Sequence, residues 1–190
     1  MEVLNSGTEL IWKKGYNNLG IDEICRTTGM TKGAFYNAFK SKENFLLEGI
    51  ASYSDSTVAY LTRKLTDENK KAIDRLRGLY DDFLSNQPKC DYRGCLVNNM
   101  MSEMGSINEL VGTASASAFD RFVSTIEPCV NEAQQDGDLS SFIESSKLAQ
   151  LLHASFFGIL TISKSQQDCT KGKEAIDLLF TTLTPNQIQN

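Results

Sequence analysis

Residues 15–47, GYNNLGIDEICRTTGMTKGAFYNAFKSKENFLL, decide how the rest of this chain is read. Ile21, Ile24 and Cys25 fall at helical spacing and predict a short helix over 21–28. Gly29-Met30-Thr31 breaks it, because glycine accepts a positive φ and threonine is a preferred helix N-cap. A second short helix then runs from Lys32 to Phe39. Two short helices joined by a glycine turn predict a helix-turn-helix, whose second helix enters the major groove with its N-terminal residues at the base edges. Gly33 and Ala34 keep the front of that helix thin enough for close approach. Lys32, Tyr36, Asn37 and Lys42 offer donors to phosphates or base edges, while Phe35 and Phe39 hold the helix against the first.

Outward from this stretch, helical period dominates. A helix over 2–14 precedes it, and one from Ser41-Lys42-Glu43 to about Leu65 follows. Ile73, Leu76, Tyr80, Phe83 and Leu84 mark the next, which Pro88 closes. Gly94 to Met104 carries Leu96, Val97, Met100, Met101 and Met104. A long helix over 109–135 carries Val111, Ala118, Phe119, Phe122, Ile126 and Val130, with a kink expected at Pro128. Ser140 or Ser141 is expected to start the penultimate helix, and the last runs from about Lys171 to Leu183. The fold class is all-α, with about nine helices and no credible strand.

Composition narrows the classes further. The 190 residues are 41% hydrophobic and 23% charged, which excludes a disordered or collagen-like chain. No apolar run approaches the roughly 18–20 residues that span a bilayer. The opening Met-Glu-Val-Leu-Asn has no basic region feeding an apolar one, so a cytoplasmic protein with no membrane partner is expected. Five cysteines at irregular spacing suit free thiols in a reducing compartment. With a single histidine and no C-x-x-C pair, neither a metal nor a cofactor is expected. The net charge of −5 argues against nucleic acid only until its distribution is read: residues 1–50 hold six basic and six acidic side chains, so the deficit lies beyond them. Between Thr31 and Lys42 the only charges are Lys32, Lys40 and Lys42.

With these residues in view, the segment resembles the N-terminal domain of the TetR family of bacterial transcriptional regulators. Gly15-Tyr16, Ile24, Gly29-Met30-Thr31-Lys32-Gly33, Phe35-Tyr36, Phe39 and Ser41-Lys42-Glu43 carry the match over roughly 45 residues. The resemblance implies an N-terminal DNA-binding domain over 1–46 and an effector-binding and dimerisation domain over 47–190. It implies that Tyr36 and Lys42 contact the DNA backbone, and that Thr27, Thr28, Thr31, Lys32, Ala34 and Asn37 face the groove. The implied partners are a double-stranded DNA operator, a second copy of the chain and a small-molecule or electrophile effector. Family members often have threonine where Gly20 stands, and a basic arm where this chain reads Met1-Glu2. Either the arm is absent and affinity is modest, or the start lies upstream.

In the effector half, Gly94-Cys95-Leu96 resembles a segment of the NemR-like and AcuR-like branch, several of whose members respond to electrophiles or oxidants through a cysteine there. Lys164, following Gly158, matches a lysine of that pattern. A thiol in the first turn of a helix with Arg93 nearby has a route to a lowered pKa, while Asp91 pulls the other way. Cys95 as a small buried residue is the alternative. Met100, Met101, Met104, Phe119, Phe122, His153 and Phe157 are candidates to line an effector pocket, or core. The penultimate helix is apolar on two sides, with Leu148, Leu152, Phe156 and Ile159 on one stripe. With Ile176, Leu179, Phe180 and Leu183 of the last helix, these are expected to form a two-fold four-helix contact. Two rivals remain: a helical ligand-binding or adaptor protein that no longer binds DNA, and a cysteine hydrolase pairing Cys95 with His153, for which no motif speaks.

Overall fold

The computed structural model describes residues 2–185. Among the described residues there are nine α-helices and no strand. They are α1 (Glu2–Lys14), α2 (Ile21–Thr28), α3 (Lys32–Phe39), α4 (Lys42–Leu65), α5 (Ala72–Asn86), α6 (Leu96–Met104), α7 (Glu109–Gln135), α8 (Ser145–Gln166) and α9 (Thr170–Thr182). A 3-10 turn over Gln87–Cys90 follows α5, with Pro88 in its first positions. Proline supplies no N–H to continue the α-helical ladder, so α5 stops where the sequence predicts. α7 runs through Pro128 as one helix.

The start of α8 differs from expectation. It begins at Ser145, not at Ser140 or Ser141. Gln134 Nε2 donates to the carbonyls of both Ser140 (2.7 Å) and Ile143 (2.8 Å), and the Ser140 N–H donates to Leu183 O at 2.9 Å. These contacts hold 140–143 as a loop, and the helix nucleates only beyond them.

Packing groups the chain into two compact units. One holds the residues up to Ser56 together with Cys95–Phe119; the other holds Thr57–Gly94 and the chain from Asp120 on. Within the first unit α6 packs with the first helices: Glu103 accepts from the backbone N–H groups of Tyr16 (3.1 Å) and Asn17 (2.8 Å).

The first unit is centred on Ile11, Leu19, Ile24, Phe35, Phe45, Leu46 and Ile50, all buried. Its middle is aromatic, with ring centroids 5.3 Å apart for Phe35–Phe45 and 4.7 Å for Phe39–Phe45. A Cβ at Gly7 would stand 2.4 Å from the Phe45 ring, so α1 reaches this cluster only because that position is bare. The second unit is built on α5 and α9, which run antiparallel, and on α8. Tyr80, Phe156 and Phe180 form its ring cluster, with Tyr80–Phe156 centroids 5.0 Å apart. Buried Arg75 ties the end of α4 to α7, donating to Leu65 O at 2.5 Å and pairing with Glu132.

Candidate nucleic-acid interface

α2 ends at Gly29, whose φ of 71° is the left-handed cap that closes the turn, and its N–H bonds back to Cys25 O. A residue with a Cβ is strained in that region, which is why glycine stands there. Thr31 is extended and its Oγ1 accepts the N–H of Ala34 at 3.1 Å, starting α3 as the sequence predicts. α2 has no such side-chain cap, because Gly20 has none to offer.

α3 buries one residue fully, Phe35, which anchors it to the aromatic cluster. Thr31, Lys32, Gly33, Ala34, Tyr36 and Asn37 are exposed, and Thr27 at the end of α2 is exposed beside them. Thr28 is half-buried, its hydroxyl donating to Ile24 O at 2.8 Å. Nothing of the protein stands within 4 Å of a Cβ placed on Gly33, so its lack of a side chain serves nothing in the fold. Tyr36 is 47% exposed, its ring set nearly perpendicular to that of Phe35.

The cations of this face are not all free. Lys32 Nζ lies 2.7 Å from Asp22 Oδ1, which holds its pKa above the ordinary lysine value. Lys42 donates to Tyr16 O at 2.6 Å and sits over the Tyr16 ring, 3.9 Å from its centroid. Burial pulls its pKa down, and the Glu103 carboxylate works against that. Lys40, which the sequence reading passed over as a site, adopts φ 67° and donates to Asn37 O at 2.7 Å. Glu103 and Asp22 were also missed. A carboxylate partner 86 residues away, or on the neighbouring short helix, leaves no spacing signal.

Elsewhere the sequence candidates scatter. Cys95 is the N-cap of α6 and 8% exposed; Tyr53 Oη donates to its Sγ at 3.5 Å. Burial pushes its thiol pKa up, outweighing the hydrogen bonds from Tyr53 and from the amides at the helix start. The lowered pKa expected from the helix terminus is therefore reversed, because desolvation of the thiolate dominates. Met100 and Met104 are buried, Phe119 is half-buried, and Met101 is exposed. In the second unit Phe122, His153 and Phe157 do come together, with ring centroids 5.8 and 4.9 Å from His153. His153 is 2% exposed, and burial pushes its pKa down to about 3, so it stays neutral near pH 7. Lys164 is exposed on the last turn of α8. Of the expected dimer residues, Leu148, Leu152, Phe156, Ile176, Phe180 and Leu183 are buried within one chain, and Ile159 and Leu179 keep partial exposure. The apolar residues that α8 and α9 do present are Leu151 (44%), Ile162 (55%) and Leu178 (67%).

Two family models match this chain: the Tetracyclin repressor-like, C-terminal domain over residues 72–179, and the bacterial regulatory proteins, tetR family, over 3–48. The chain belongs to the TetR family. It is similar to the HTH-type transcriptional repressor DhaR of a Mycobacterium species, 23% identical with 97% of this chain and 91% of that protein covered. It is also similar to the HTH-type transcriptional repressor NemR of Escherichia coli, at 25% identity over 82% of this chain and 79% of that one. A TetR regulatory protein from Rhodobacter sphaeroides superimposes with a TM-score of 0.86 at 25% identity, covering 94% and 95% of the two chains. This TetR-family chain is thus a DNA-binding transcriptional regulator of the repressor type, and not an enzyme. Among its described residues no helix is long and apolar enough to cross a membrane.

Proposed function

We propose that this TetR-type repressor binds a palindromic operator as a homodimer in the cytoplasm, each copy placing α3 in one major groove. The observation that carries this reading is α3 itself: one buried anchor, Phe35, and an otherwise exposed front with bare Gly33 and Ala34 at its start. Thr31, Ala34 and Asn37 reach base edges, while Thr27, Thr28, Lys32, Tyr36 and the α3 N-terminus hold phosphates. Lys42 joins them only by leaving the Tyr16 carbonyl. Residues 1–46 serve as the DNA-binding domain and 47–190 carry dimerisation and effector response.

The dimer forms through α8 and α9, on the face bearing Leu151, Ile159, Ile162, Leu178 and Leu179. Exposed Ala154 and Gly158 on the same stretch of α8 let a second helix approach closely. A small molecule, or modification of Cys95, releases the operator by favouring a dimer state whose half-site spacing no longer fits; such release needs a free-energy difference between the states.

The test is an anisotropy titration of the full chain against duplex DNA from upstream of its own gene, at two salt concentrations. Tight binding that weakens steeply with salt is the expected result, since phosphate neutralisation releases counterions. Absence of binding to that DNA and to a randomised operator pool would favour the adaptor reading. Cys95→Ser, tested with and without an electrophile, separates the thiol response from a non-covalent effector.

A further inference from the structure

The antiparallel packing of α5 against α9 has a register set by four contacts. Arg77 faces Asp177 at 3.9 Å, and Asp81 faces Lys173 at 3.0 Å. Lys173 also donates to Ser85 Oγ at 2.7 Å, and a Cβ on Gly172 would stand 3.5 Å from Leu84. Each step towards the end of α5 meets a step towards the start of α9. Continued by one turn, this register carries the 3-10 turn that ends at Cys90 towards the start of α9, whose N-cap is Cys169.

We propose that Cys90 and Cys169 form a reversible intrachain disulfide on exposure to hydroperoxides, a redox modification site joining the end of α5 to the start of α9. Both thiols are free in this structure. Their exposures suit two different steps: Cys90 is half-buried and meets solvent, whereas Cys169 is 7% exposed. The charge of Cys90 also raises the Cys169 pKa, as the smallest of the influences on it. Burial raises the Cys169 pKa, so it is a poor first nucleophile towards a dissolved oxidant.

The chemistry balances in two steps. The Cys90 thiolate attacks one oxygen of the hydroperoxide, and the S–O bond forms as the O–O bond breaks. This leaves Cys90 sulfenic acid, and the departing hydroxide or alkoxide takes up the proton that Cys90 lost and leaves as water or an alcohol. The Cys169 thiolate then attacks the Cys90 sulfur, forming the S–S bond and expelling hydroxide, which takes up the proton that Cys169 lost. The two electrons removed from sulfur have reduced the peroxide, and a thiol reductant reverses the bond by exchange.

The test uses reduced full-length protein, treated with a few-fold excess of hydrogen peroxide, alkylated under denaturing conditions and digested. Wild type and Cys95→Ser are expected to lose two alkylatable thiols together and to give a cross-linked peptide pair carrying Cys90 and Cys169 that dithiothreitol separates. Cys90→Ser is expected to keep Cys169 fully alkylatable, and Cys169→Ser to stop at a sulfenic acid on Cys90 that dimedone traps. A cross-link between other cysteines, or oxidation of Cys90 to sulfinic acid in wild type without any cross-link, overturns the proposal. Because the readout in wild type is the linked peptide itself, it stands even where a serine variant folds poorly, and it is independent of DNA binding.

Discussion

Lys32 Nζ stands 2.7 Å from the carboxylate of Asp22, so the first cation of the recognition helix is paired before any DNA arrives. Both side chains are mostly exposed, so the pair contributes little to stability. Its consequence is for binding: a phosphate taken by Lys32 must displace Asp22, and the Asp22 charge itself repels the duplex. Asp22→Asn is expected to tighten operator binding by roughly threefold to tenfold and to steepen the slope of log K against log salt by up to about one. Anisotropy at three salt concentrations checks both. An unchanged slope would mean that Lys32 does not meet a phosphate.

Gly33→Ala separates folding from recognition by sign. The position is exposed, helical and open to 4 Å in every direction within the protein. Alanine there is expected to stabilise the fold by about 0.5–1 kcal/mol, from helix propensity alone. If α3 approaches DNA at this point, the added methyl weakens operator binding at least about tenfold, a cost of ~1.4 kcal/mol. Thermal melts and anisotropy on one preparation read the two effects, and a stabilised variant with intact affinity places the close approach elsewhere.

His153 supplies a pH dependence. Its pKa is held near 3 in the folded chain by burial among Phe122, Phe156, Phe157 and Tyr80, against 6.5 for the ordinary group. Above pH 6.5 the ring is neutral in both states and nothing is lost. Below it the unfolded chain binds a proton that the folded chain refuses, so stability falls with pH until about pH 3. Between pH 6.5 and 5 the loss is about 1.6 kcal/mol. The carboxylates held low by their partners, Glu23 and Glu144 among them, titrate below this window. Urea melts at the two pH values are expected to differ in wild type and to converge in His153→Phe; an equal pH effect in both assigns it to another group.

The local order of α1 to α4 was legible because its signals are short-range: a glycine needing positive φ at 29, a hydroxyl at 31 that accepts the N–H three residues on, an aromatic at 35 with polar neighbours. What the sequence did not reveal depends on distance in the chain. Glu103 holds the turn after α1 from 86 residues away, and nothing in its own neighbourhood announces that. The apolar stripes of α8 were legible as apolar, but periodicity does not say which partner covers a stripe. Tyr80 and Phe83 pack against Phe156 within the same chain, so that part of the stripe is buried without a second copy. Cys95 misled in a similar way: the helix terminus was visible, whereas the depth of burial that raises its pKa was not.

That depth predicts an order of reaction. Cys90 is half-buried and Cys95 is 8% exposed with a raised pKa. Iodoacetamide at pH 7.5 is expected to label Cys90 at least about ten times faster than Cys95, since only exposed thiolate reacts. Tyr53→Phe removes a hydrogen bond that favours the Cys95 thiolate and slows its labelling further. Mass spectrometry of timed digests reads each site. Labelling of Cys95 first would show that its surroundings open in solution and would restore it as the foremost electrophile sensor.

Leu178 and Phe180 sit two residues apart on α9 with opposite exposures, 67% and 0%. Leu178→Asp is therefore expected to leave the fold intact while shifting a homodimer to monomer, because the carboxylate is solvated in the single chain and desolvated only at the contact. Phe180→Asp places the same charge beside Tyr80, in the core, and is expected to unfold the chain whatever its oligomeric state. Light scattering on the folded Leu178→Asp protein gives the decision. A dimer that survives this change together with Leu151→Asp does not use the exposed face of α8 and α9, and operator reading by paired α3 helices would then require another two-fold contact.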